Sequence, residues 1–120
     1  MRIIHVGSVS SCTSLKIVDG VNITIWLVSR EQSLLGHQVT ILIDSPPDPS
    51  AQEFALQSGI NLTYIPANSR RYDPEALKKL LDSGKPEIVH LHSVFLPRQA
   101  TLCKTLLKDK IPYIITPNAI

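Results

Sequence analysis

Cysteine is scarce in this chain. Cys12 and Cys103 are the only two, far apart and without the spacing of a thiolate metal centre. Reduced thiols in a cytoplasmic protein are the expectation. Aromatic residues make up only 5% of the sequence, which removes the stacking platforms that single-stranded nucleic acid needs. Net charge is +2 with no block of like charges, so no nucleic-acid partner is expected. Long hydrophobic runs are also missing. The opening MRIIHVGSVSS is interrupted by His5 and Gly7, too short for a signal-peptide core or a membrane span. Without a secretory signal, the sequons at Asn22-Ile23-Thr24 and Asn61-Leu62-Thr63 read as coincidental. Neither G-x-G-x-x-G nor G-x-x-x-x-G-K-[ST] occurs after the first apolar run, which argues against a nicotinamide Rossmann domain and a P-loop nucleotidase.

What is present is a regular alternation. The 120 residues suffice for one domain with a real core. Five short runs rich in Ile and Val read as strands: Ile3–Val6, Val39–Ile43, Ile60–Ile65, Ile88–Leu91 and Tyr113–Thr116. They are continuous rather than alternating, as in parallel strands covered on both faces. Helical patterns fill the gaps. The first, about residues 21–35, puts Val21, Ile25, Val28 and Leu35 near one face and stops at Gly36. The second covers about 50–58 and stops at Gly59. The third begins with Asp73 as N-cap and Pro74 at the first helical position, buries Leu77, Leu80 and Leu81, and ends at Gly84. The fourth covers about 97–108 with Leu102, Leu106 and Leu107 inward. Residues 66–74, PANSRRYDP, read as a polar loop free to move. The alternation predicts an α/β fold with a doubly wound, Rossmann-like parallel sheet, and right-handed crossovers predict strand order 3-2-1-4-5. An apolar fifth strand with no helix after it suggests the front portion of a longer protein.

Ligands of such sheets bind beyond the carboxyl ends of the strands, where the order reverses, here between the first and fourth strands. His90 and His92 share one face of the fourth strand. His92, nearer the carboxyl end, is expected at the crevice, and His90 deeper as a core histidine. Two rings fall short of a metal site because no third ligand stands at a suggestive spacing. Asp19-Gly20-Val21 leads into the first helix. Gly20 either lets a phosphate approach the helix N-terminus or merely eases the turn.

MRIIHVG, DGVN, LLGHQVTILI, KPEIVHLHS and IPYIITPN, in that order along nearly the whole chain, resemble the N-terminal domain of family 4 glycosyltransferases. The resemblance implies one half of a GT-B architecture. Residues 1–120 would be an incomplete N-terminal, acceptor-side domain, with the C-terminal nucleotide-sugar domain outside this chain. It implies a retaining transfer from a nucleotide-sugar donor to a glycan or lipid-linked acceptor, with no metal and no further cofactor. The family's glycine-rich turn falls on Gly20 and Val21, which would approach the donor phosphate. Ser8 and Ser93, after the first and fourth strands, would face the acceptor beside His92.

One departure stands out. Where many members read T-P-H-G, this chain has Thr116-Pro117-Asn118-Ala119. Asn118 would take the catalytic position with His92, yet an amide hydrogen-bonds a hydroxyl without accepting its proton as imidazole does. A degenerate, non-catalytic GT-B-like subunit is therefore the alternative reading. Arg70, Arg71, Lys78, Lys79 and Lys85 are a candidate surface for peripheral contact with anionic lipid.

Overall fold

The computed structural model describes residues 1–7, 20–92 and 97–116, with the side chains of residues 20–23 excepted. The elements alternate as β1 (Arg2–Val6), α1 (Gly20–Leu34), β2 (Gln38–Ile43), α2 (Pro49–Ser58), β3 (Ile60–Tyr64), α3 (Pro74–Gly84), β4 (Ile88–His92), α4 (Pro97–Lys108) and β5 (Tyr113–Thr116). All four pairings are parallel, and the order is β3-β2-β1-β4-β5, as the sequence predicts.

Helix ends follow local chemistry. Asp48 caps α2, accepting from the Ala51 N–H at 2.8 Å, and Asp73 caps α3, accepting from the Ala76 N–H at 3.1 Å. Gly59, at φ +69°, closes α2 in the left-handed conformation. The end of α3 differs from expectation. Gly84 is its last helical residue, and Lys85 takes the left-handed position at φ 39°. Pro86 follows, and its ring disfavours the right-handed helical region for the residue before it.

Two cores lie on opposite faces of the sheet. On one, Ile25 and Trp26 of α1 and Ala51 and Ala55 of α2 pack on Ile41, Ile43 and Ile60, with the Trp26 indole edge-on to Phe54 at 5.3 Å. On the other, α3 and α4 bring Leu77, Leu81, Leu102 and Leu106 onto Ile4, Val6, Leu42, Val89 and Leu91. Several helix faces are rotated from their sequence reading. The buried stripe of α1 is Ile25, Trp26 and Ser29, while Val28 is only partly covered and Leu35 is 77% exposed. On α4, Gln99, Leu102 and Leu106 turn inward and Leu107 is 65% exposed, since it lies a further 100° round from Leu106.

The 66–74 loop is not loose. Asn68 Oδ1 accepts from the backbone N–H of Arg70 and Arg71, Ala67 bridges Tyr72, and Tyr72 is buried against the α3/α4 core.

Candidate functional site at the β1–β4 switch

β1 lies between β2 and β4, so the sheet order reverses between β1 and β4. Parallel register places His5 opposite His90. Their side chains therefore share the α1/α2 face of the sheet, and His92 joins them two residues on. The result is three imidazoles in contact. His90 and His92 stack at 4.0 Å between ring centroids and 22° between planes, and His5 lies 5.3 Å from His90 and 5.1 Å from His92.

Gly7 makes the room. A Cβ there would stand 2.7 Å from Ile25 Cδ1 and 3.5 Å from His92 Cβ, so the side-chain-free position lets α1 and the His92 ring close over the end of β1.

Hydrogen bonds order the rings. His5 Nε2–H donates to Gln32 Oε1 of α1 at 2.6 Å, because a carbonyl oxygen only accepts. His5 Nδ1 is then the accepting nitrogen, and His92 Nε2–H donates to it at 2.8 Å. His92 Nδ1 is left as a bare lone pair, buried and without a hydrogen-bond partner among the described residues. His90 Nε2 is hydrogen-bonded to Thr116 Oγ1 of β5 at 2.5 Å.

Burial lowers the pKa of all three rings. For His5 it outweighs the opposing effect of the Gln32 hydrogen bond. For His90 burial alone acts. His92 is pushed down to about 3 by burial and by its two imidazole neighbours. The cluster is neutral at pH 7. Such a group offers and accepts hydrogen bonds, but a ring with so low a pKa is a poor general base.

The depth order of the two predicted histidines is reversed. His92 is buried, at 2% exposure, whereas His90 is partly exposed and reaches across to the edge strand. α1 covers the inner strands at the switch, while among the described residues the β5 side of the same face is uncovered, with Ile114 49% exposed. Gly20 is the first residue of α1 and Val21 the second, as expected for a helix terminus after β1. Ser8, Ser93 and Asn118 lie outside the described residues. His5 and Gln32 belong to the site and the sequence reading passed over them. The signal for His5 was available: strand order makes β1 and β4 neighbours, and His5 sits on the matching side of β1.

On the opposite face, Asp44 just past β2 forms an ion pair with Arg98 in the first turn of α4, and Arg98 stands 5.8 Å over the Tyr72 ring. Burial raises the Tyr72 phenol pKa. This cluster braces the carboxyl edge of the sheet. Along the same face, a groove of about 1120 Å³ separates α3 from α4; Arg71, Lys78, Lys85 and Lys108 alternate there with Asp82, Glu87 and Asp109.

The sequence model of Glycosyltransferase Family 4 matches residues 18–119, most of the chain. The chain belongs to glycosyltransferase family 4. A comparison with curated proteins gives no match. Membership of family 4 entails a sugar donor and an acceptor as substrates, and the doubly wound sheet is that of a Rossmann-like GT-B half. Among the described residues no helix of this family 4 chain is long and apolar enough to cross a membrane.

Proposed function

We propose that this family 4 chain is the N-terminal, acceptor-side domain of a two-domain retaining glycosyltransferase, which moves a sugar from a nucleotide-sugar donor to a glycan or lipid-linked acceptor in polysaccharide or glycolipid synthesis at the cytoplasmic side. The observation that carries the reading is the neutral imidazole cluster packed against α1 where the sheet order reverses between β1 and β4, in a chain that matches this family.

In this reading Gly20 and Val21 open α1 toward the donor phosphate, whose charge the helix terminus favours. His92 acts as a hydrogen-bond acceptor for a sugar hydroxyl through Nδ1, not as a base, because its depressed pKa leaves it a weak proton acceptor. Asn118, Ser8 and Ser93 supply further hydrogen bonds to the sugars. The acceptor proton goes to the leaving donor phosphate, so the transfer step itself needs no cofactor. Arg70, Arg71, Lys78, Lys79 and Lys85, all exposed, give the chain a basic surface along which to meet anionic lipid carrying the acceptor.

The test is transfer by the native gene product over a panel of nucleotide sugars with glycan and lipid-linked acceptors. The proposal expects release of nucleotide with one donor and a product of retained anomeric configuration. Tight donor binding without turnover would establish the non-catalytic subunit instead, and neither binding nor turnover with any donor would remove the proposal.

A further inference from the structure

His5, His90 and His92 each place a ring nitrogen within 4.8 Å of the other two. Three imidazoles and an open fourth position are the donor set of a tetrahedral zinc site. Their outer nitrogens are held as ligating histidines usually are, by neutral oxygen partners that fix the ring: Gln32 Oε1 on His5 Nε2 and Thr116 Oγ1 on His90 Nε2. The third ring has a lone pair in the wrong place for the metal-free chain, since His92 Nδ1 is buried with no partner.

We propose that the imidazole cluster at the β1–β4 switch binds one zinc ion through His5, His90 and His92, with water or a substrate oxygen as fourth ligand. The ion replaces the proton shared between His5 Nδ1 and His92 Nε2. Those atoms are 2.8 Å apart and need to open to about 3.3 Å, the separation of two nitrogens at tetrahedral zinc bond lengths, and the His90 ring has to swing out of its stack on His92 so that its nitrogen closes on the same ion. The displaced proton moves to His92 Nδ1, so no charge is lost from the ring and the bare nitrogen becomes a donor. Imidazole donors suit zinc over the hard oxygen-seeking cations calcium and magnesium. The ion clips β1 to β4 and turns His92 Nδ1 from acceptor to donor. This departs from the metal-free expectation of the sequence: in the zinc-bound chain a sugar hydroxyl accepts from His92 Nδ1–H, whereas in the metal-free chain it donates to Nδ1, and zinc binding is measured by metal content rather than turnover.

The experiment uses the untagged native gene product, dialysed against micromolar zinc and analysed by elemental mass spectrometry, with cobalt substitution to report geometry by visible absorption. The expected result is about one zinc per chain, a tetrahedral cobalt spectrum, and loss of both in His5→Gln and His92→Gln. His37→Gln, distant from the cluster, retains them. Should the histidine variants fail to fold, Gln32→Leu decides: removing the outer partner of His5 lowers zinc affinity about 10–100-fold. Absence of stoichiometric zinc, zinc content unchanged in folded His5→Gln, or unchanged affinity in Gln32→Leu overturns the proposal.

Discussion

Gly7→Ala offers a sharp test of how the site is packed. Gly7 has no left-handed φ to protect, so the substitution acts through space alone. The new methyl would arrive 2.7 Å from Ile25 Cδ1, well inside van der Waals contact, while keeping 3.5 Å from His92 Cβ. Ile25 of α1 is fully buried in the core on this face, so its Cδ1 has to turn within packed surroundings to admit the methyl. Overpacking of this kind costs about 1–3 kcal/mol. Ile25→Val removes the offending Cδ1 and by itself costs about 0.5–1.5 kcal/mol. In the double variant the alanine methyl occupies the vacated space, so the two costs fall short of their sum by about 1 kcal/mol or more. Urea unfolding followed by the fluorescence of Trp26, the single tryptophan and itself fully buried, measures all four proteins. Strict additivity, or a Gly7→Ala protein as stable as the parent, would refute the claim that the missing side chain is what admits His92 and α1.

Other consequences follow from the same contacts. All three clustered histidines have folded-state pKa values below their ordinary value, so the folded chain binds fewer protons than the unfolded chain in mild acid. Their contribution is present above about pH 6.5 and is lost as pH falls, and His92 alone removes about 1.5 kcal/mol between pH 6.5 and pH 5. Urea midpoints in EDTA across that range measure it, and His92→Gln flattens the slope; a flat parent profile contradicts the burial argument. Arg98→Leu leaves the mostly buried Asp44 without its partner and uncovers the Tyr72 ring, costing about 1–3 kcal/mol in urea unfolding. Asp73→Ala deletes the cap of α3 and costs about 1 kcal/mol, with faster hydrogen exchange at Ala76 as its local sign.

The order of the sheet was legible because β1, β2 and β4 are short β-branched runs buried on both faces, a pattern helices rarely share. Helix orientation was less so. α1 buries Trp26 and Ser29 and exposes Leu34 and Leu35, and α4 buries Gln99 while exposing Leu107. Polarity is a poor guide to a face when a glutamine side chain reaches the backbone, as Gln99 does at the carbonyl of His92 at 3.4 Å. His92 was found from period-two alternation. The relay through His5 to Gln32 was not, because it joins residues 27 and 87 positions apart and exists only once β1, β4 and α1 meet. Lys85 in place of a glycine at the end of α3 shows the same limit, since Pro86 decides the turn.

The most direct test of the account is long-range nitrogen–proton NMR of the histidine rings, metal-free at pH 7, before and after addition of acceptor saccharides and nucleotide sugars. Three neutral rings are predicted, with protons on His5 Nε2 and His92 Nε2 and a His92 Nδ1 resonance that moves when a sugar binds. A protonated His92 at pH 7, or a triad that no sugar or donor perturbs, would contradict it.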